Sequence, residues 1–251
     1  IVMLAAAKAY NEAVQRAAPA TTKIRQKPVV FAAFAAEDWG YAGSRRFSQD
    51  MLSVATGEKT GASELGGLVG RDIDALVELG ALGFATRRVP TDVETPTVFA
   101  HVNARGGEGS DAVVTALRAA AASTSEVGKG GISILRAQGA PKLDSGVGGV
   151  GNIGGGGHQL PPSSMFSFLR RKPDINGVLL AEYDGEYIDP FHGSVFDAGV
   201  EAIDAGRMAR VAATLARGIA TMSFVAEAKK KNADDKSNDA STTTTTATAE
   251  A

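Results

Sequence analysis

The chain has 251 residues, of which 44% are hydrophobic and 22% charged, with a formal net charge of -2. That composition belongs to an ordinary globular protein, one large domain or two small ones, long enough to bury a sizeable core. The near-neutral charge leaves no basic footprint for nucleic acid or an anionic membrane surface, and the absence of cysteine excludes disulfides and thiolate zinc sites.

Residues 1 to about 18 read as a helix with Met3, Ala7, Tyr10, Val14 and Ala17 along one apolar face. The chain starts at Ile1 rather than Met, inside that helical pattern and with no visible signal peptide, so upstream sequence is expected. The apolar run Val29–Ala36 reads as a buried strand that delivers Glu37 and Asp38 to its carboxyl end. Gly40 and Gly43 permit a tight turn there, and Ser44 is the candidate cap of a helix to Met51. Acids at the carboxyl end of a strand in an open α/β sheet are where ligands and metals bind, although such turns also carry acids that are merely solvated.

Asp72–Gly80 reads as a strand, with Ile73, Ala75, Val77 and Leu79 alternating against Asp72, Asp74, Leu76 and Glu78. A further strand is expected over Pro96–Val102. An alanine-rich helix should follow over Ser110–Ala122, capped by Ser110 and buried through Val113, Val114 and Leu117. The next strand is expected over Gly131–Arg136. The glycine tract 145–157 predicts a mobile loop. Ser163 should cap a short helix over Met165–Arg170, Gly177–Glu182 should be a strand, and Asp184-Gly185 a turn. Ile203 to about Ala228 reads as a long amphipathic helix with Met208, Val211, Leu215, Ile219 and Met222 on its buried face. From Lys229 the chain turns polar and repetitive, so 229–251 is expected to be a disordered tail after a domain at 1–228. Strands alternating with helices make this an α/β chain.

The chemistry offered by the residues alone is sparse. Gly149, Gly151 and Gly154 match Gly-x-Gly-x-x-Gly, but more glycines and then Pro161-Pro162 follow, where a dinucleotide site needs a helix. Of the three histidines, His101 has no acidic neighbour in sequence, His158 lies by the glycine tract, and His192 stands between Asp189 and Asp197. Glu37, Asp38 and Asp74 could form an oxygen-rich metal site, though zinc enzymes generally want histidine as well. The other reading of Asp74 is an exposed strand edge. No nucleophile elbow is present.

The segment AAEDWGYAGSRRF resembles the (A/G)-E-E-x-G-L-x-G-S segment of the zinc aminopeptidase, glutamate carboxypeptidase and transferrin receptor superfamily. It resembles still more the G-E-T-F-D-Y-I-G-S-S-R-M segment of the nicastrin family. DIDALVELGALG, LPPSSMFSFLRRKPDINGVLLAEYDGEY, DPFHGSVFDAG and MARVAATLARGIATM are similar to nicastrin segments in the same order, from about Pro28 to Met222. The resemblance implies a three-layer zinc-aminopeptidase-like α/β fold with a central mixed sheet flanked by helices. In that comparison Glu37 falls on the peptidase general base, which nicastrins keep as a glutamate. Asp38 and Asp74 fall on zinc-ligand positions, and Gly193 stands where the last zinc-ligand histidine belongs, with His192 one residue early. Such a site is degenerate, so the resemblance implies a pseudo-peptidase with no metal, no other cofactor and no catalytic residue, in which Glu37 and Tyr41 line a vestigial pocket. It further implies a subunit of the γ-secretase complex, acting in substrate recognition, gating and assembly. Its partners would be presenilin, Aph-1 and Pen-2 type subunits and transmembrane protein substrates, not nucleic acid. The lobe would face the lumen or exterior of the endoplasmic reticulum, Golgi and plasma membrane. The competing reading is an active zinc aminopeptidase with Glu37 as base and Asp38 and Asp74 as ligands.

Overall fold

A computed structural model describes residues 1–17, 27–52, 73–83, 95–126, 131–138, 160–185 and 203–239. The glycine tract 145–157, the polar tail beyond Asp239, His158, His192 and Gly193 lie outside the described residues. The helix α1, Val2–Ala17, forms where expected. It buries Val2 and Ala6, so the buried stripe is centred slightly to one side of the predicted face.

The Val29–Ala36 strand does not form. These residues have no ladder partner among the described residues, and all of them are half-buried or exposed. An apolar run specifies burial, not a hydrogen-bonding neighbour, and here the two phenylalanines of the run are partly covered by other rings. Phe31 lies 5.9 Å from Tyr10, and Phe34 lies 5.2 Å from Phe47 and 6.0 Å from Phe168. The run ends in a 3-10 turn, Glu37–Trp39, which leads into α2, Ala42–Leu52.

Among the described residues the sheet holds four strands in the order β1-β4-β2-β3. These are β1 Leu76–Leu79, β2 Thr97–Val102, β3 Ser133–Arg136 and β4 Gly177–Ala181. β1 runs parallel to β4 and β3 parallel to β2, while β2 and β4 are antiparallel with Val102 opposite Val178, so the sheet is mixed. β4 is buried along its whole length, as its uninterrupted apolar sequence requires of a central strand. β1 is shorter than its alternating pattern, because Asp74 sits in a bend before the first paired residue.

The period of two divides the apolar residues between the two faces of the sheet. Val77, Leu79, Val98, Ala100, Val178 and Leu180 form one core with residues of α1, α3 (Gly107–Glu126) and α5 (Ala205–Asp239). Leu76 and Leu179 face the other way, into a smaller cluster with Met51 of α2 and Met165, Phe168 and Leu169 of α4 (Met165–Leu169). The result is three layers, α1, α3 and α5 over the sheet over α2 and α4, the fold class expected from sequence. The expected Val113, Val114 and Leu117 face of α3 and the Val211 and Leu215 face of α5 are buried. The α5 backbone stays helical through Asp239, past Lys229 where the composition turns polar.

Three of the serines named as caps play other parts. Ser44 and Ser110 lie inside α2 and α3 and are fully buried. The N-cap of α4 is Ser164 rather than Ser163. No helix among the described residues is long and apolar enough to cross a membrane.

Candidate functional site

The site is built where α2 and α4 begin, and it starts with a backbone constraint. Among the described residues Ala36 and Tyr41 are the two non-glycine residues with positive φ, at 57° and 62°, and they bracket the Glu37–Trp39 turn together with Gly40 at 76°. Each L-residue held there costs about 1–2 kcal/mol. The reversal brings the chain back on itself so tightly that a side chain at Gly43 would collide with the Ala35 carbonyl. Glycine at 43 is therefore obligatory, whereas Gly40 answers to its φ alone.

The reversal satisfies the first turn of α2. The N–H of Ala42 donates to Ala36 O at 3.2 Å, that of Gly43 to Ala35 O at 3.1 Å, and that of Arg45 to Tyr41 O at 2.9 Å. The remaining N–H, of Ser44, donates to Glu37 Oε1 at 2.9 Å. Glu37 thus supplies the cap that Ser44 was expected to supply, and its charge lies against the positive end of α2.

The second oxygen of Glu37 reaches across to α4, where the Ser164 hydroxyl donates to Oε2 at 2.6 Å. A second glutamate, Glu78 of β1, meets the same residue: the N–H groups of Ser164 and Met165 donate to its Oε1 and Oε2 at 2.9 and 2.8 Å. The two carboxylates therefore hold the two donors of one serine. Below them, α2 and α4 are joined by Ser44 Oγ and Ser167 Oγ at 2.9 Å, and by the Ser48 hydroxyl donating to Ser167 O at 3.1 Å. Small hydroxyl side chains at Ser44 and Ser48 let the helices approach closely and pair every polar atom they bury there. Tyr41 stands edge-on to Phe166 of α4 at 6.4 Å.

The environment drives the two acids apart. Burial pushes the Glu37 carboxyl up, but the Ser164 hydroxyl, the Ser44 N–H and hydroxyl and the Gly43 N–H together outweigh it, and its pKa lies below 4.5. For Glu78 burial prevails over the Met165 N–H and the donors at Ser163 and Ser164, and its pKa lies above 4.5. Among the described residues no ion pair reaches either glutamate.

The other predicted site residues are not brought to this point. Asp38 is exposed in the 3-10 turn, beside Trp39, which is 86% exposed. Asp74 is at the surface before β1, its side chain 65% exposed and 2.6 Å from Lys27 Nζ. Among the described residues no cluster of three His, Asp or Glu side chains could hold a metal ion. His101 is in β2 and buried. Its Nε2 lies 2.9 Å from Tyr183 O and its ring 5.2 Å from that of Tyr183. Burial lowers its pKa below 6.5, against the opposing pull of the Tyr183 carbonyl and Asp184.

Two residues of this cluster were missed from sequence. Glu78 shares the strand parity of Asp74, and the signal that distinguishes it is its place inside the paired strand. Ser164 is the second of the adjacent serines, and only the helix start separates it from Ser163. A further acid, Glu182, follows β4 and pairs with Arg207 of α5, Nε to Oε1 at 2.6 Å. The same oxygen accepts the Gly83 N–H at 3.0 Å.

Residues 1–141 and 145–250 match the model of the nicastrin large lobe. Nicastrin of Arabidopsis thaliana is 27% identical over 192 residues, which are 76% of this chain and 24% of that protein. The crystal structure of the γ-secretase component nicastrin superposes with a TM-score of 0.60 and 20% identity, over 89% of this chain and 35% of that one. The chain thus spans about a quarter to a third of the length of these relatives, and the three-layer aminopeptidase-like arrangement is its fold. With the family model matched along nearly all of its length, this chain belongs to the nicastrin family.

Proposed function

We propose that this chain forms part of the large lobe of a non-catalytic, nicastrin-type subunit of γ-secretase. In this reading it faces the lumen or exterior of a membrane complex and contributes to recognition and gating of transmembrane protein substrates and to assembly with presenilin, Aph-1 and Pen-2 type subunits. The family match supports the identity of the subunit. The observation that carries the non-catalytic part is the state of Glu37. Both its oxygens accept hydrogen bonds from groups that hold helix starts, and its pKa is lowered. A general base gains from a pKa raised toward the working pH, and a carboxylate committed to a helix cap is poorly placed to take a proton from water. Asp38 and Asp74, the two carboxylates at zinc-ligand positions, are both at the surface. Glu37 and Tyr41 then serve as a pocket wall. An ionised Glu37 that faces no lysine or arginine among the described residues can receive a substrate's ammonium end, and it also holds α2 against α4.

The test is metal analysis of protein purified without added metal, with an aminopeptidase assay on the chain and its Glu37→Gln variant. The expected result is no stoichiometric zinc and no activity, together with co-purification with presenilin. About two zinc ions per chain, with activity lost in Glu37→Gln, would overturn the proposal and make the protein a peptidase.

A further inference from the structure

We propose that Glu78 is a positioning residue for Glu37: it grips the start of α4 so that the Ser164 hydroxyl is turned away from its own helix and delivered to Glu37. An N-cap serine ordinarily sits in extended backbone and turns its oxygen back to accept an N–H of its own first turn. Ser164 does neither. Its φ and ψ are -57° and -25°, already helical, and its side chain makes no cap bond. The missing cap is supplied from another element, since both oxygens of Glu78 are taken by the successive N–H groups of Ser164 and Met165. The next two N–H groups are satisfied locally, Phe166 to Ser163 O at 3.2 Å and Ser167 to Ser164 O at 3.0 Å. No donor in this turn is left for the Ser164 hydroxyl to serve. It is released, and it donates to Glu37 Oε2 at 2.6 Å.

The arrangement makes one line of contact from β1 to α2. Glu78 fixes a peptide unit of α4, that unit aims a hydroxyl, the hydroxyl orients Glu37, and Glu37 caps α2 through Ser44. Two-point attachment matters, because a carboxylate that takes two adjacent N–H groups fixes the rotation of the turn as well as its position. Direct repulsion between the two carboxylates works in the opposite sense. A like charge disfavours ionisation, so by charge alone the loss of Glu78 would lower the Glu37 pKa, whereas loss of the grip must raise it. The sign of the effect separates positioning from electrostatics. The inference stands apart from the proposed function, because it is read on the chain by itself, with no substrate or partner present.

The experiment is a side-chain carboxyl titration of Glu37 by NMR on the 251-residue chain. Glu78→Asp keeps the charge but is one methylene too short to hold both N–H groups. The Glu37 pKa is expected to rise in Glu78→Asp, to rise likewise in Ser164→Ala, and to rise no further in the double variant. An unchanged Glu37 titration in Glu78→Asp, or a full additional shift from Ser164→Ala on that background, would overturn the proposal. A second measurement needs no variant. The Ser44 N–H, bonded to Glu37, should show an inflection where Glu78 titrates as well as where Glu37 does. One inflection alone at Ser44 would overturn the proposal even if the Glu78 variants do not fold.

Discussion

Two parts of this molecule solve the problem of a carboxylate drawn in from solvent, and they solve it differently. Glu182 has a side chain only 3% exposed and meets the Arg207 guanidinium at 2.6 Å. Arg207 is itself fixed, since its N–H donates to Asp204 Oδ1 at 2.8 Å as the cap of α5 and its Nη2 donates to Thr97 O at 3.3 Å. That pair is complete: charge meets charge, and the strands β2 and β4 are tied to the start of α5. Glu37 and Glu78 are held by amide and hydroxyl donors alone, and among the described residues neither meets a cation. Neutral donors satisfy hydrogen-bonding capacity without cancelling charge. The first arrangement is closed chemistry and reads as a structural latch. The second keeps its negative charge and can still respond to an incoming positive group or to a proton.

The largest effect should come from breaking the latch. Arg207→Ala leaves a buried carboxylate without its cation, and the expected loss is about 3–5 kcal/mol in urea unfolding. Replacing both Glu182 and Arg207 by Met should recover most of that loss, because similar-sized apolar side chains carry no unpaired charge. A loss under about 1 kcal/mol in Arg207→Ala would mean that Glu182 is satisfied without this guanidinium, and the contrast between the two regions would collapse.

Glu37→Ala should have an intermediate effect, about 1 kcal/mol, the usual worth of a lost helix cap. Its pH dependence sharpens the comparison. Because the folded pKa of Glu37 lies below 4.5, the folded state binds this proton less readily than the unfolded chain. The stabilisation is therefore fully present above about pH 4.5 and is lost as pH falls through the folded value. The difference between wild type and Glu37→Ala should be flat near neutrality and shrink in acid. Glu78 must behave with the opposite sign. Its raised pKa means that ionisation is penalised in the folded state, so its contribution weakens as pH rises above 4.5. Parallel pH profiles for the two variants would show that the glutamates do not occupy distinct environments.

How much of this was legible in the sequence follows from what kind of information each feature needs. The buried faces of α3 and α5 and the strands β2, β3 and β4 follow from periodicity, which is local. The Val29–Ala36 strand failed because pairing requires a neighbour, and an apolar octet says nothing about one. Glu37 was visible because strand-like chain, acid, glycine and helix follow each other within a few residues. Its role was not, because the Ser164 donor lies 127 residues away. Glu78 was hidden for the same reason, its partners being 86 and 87 residues on. Ser44 looked like a cap because serine before a helical pattern usually is one. The positive φ at Tyr41 started the helix earlier and turned Ser44 inward onto Ser167.

The smallest expected effect belongs to Asp74, and it bears on the comparison by being neither kind of site. Its side chain is 65% exposed and its Lys27 partner 47% exposed. An ion pair so open to water gains little, since solvent screens the attraction and the long lysine side chain must be ordered to make it. Asp74→Asn should change stability by no more than about 0.5 kcal/mol, and less still in high salt. The Asn176 side-chain amide donates to the Asp74 backbone carbonyl at 2.7 Å, and substitution of the side chain leaves that bond in place. Urea unfolding at two salt concentrations measures the stability change, and zinc titration of wild type and Asp74→Asn by calorimetry is expected to show no difference between them. A zinc affinity that falls in Asp74→Asn would put this carboxylate back at a metal site, with Glu37 and Asp38 as the companions expected from sequence.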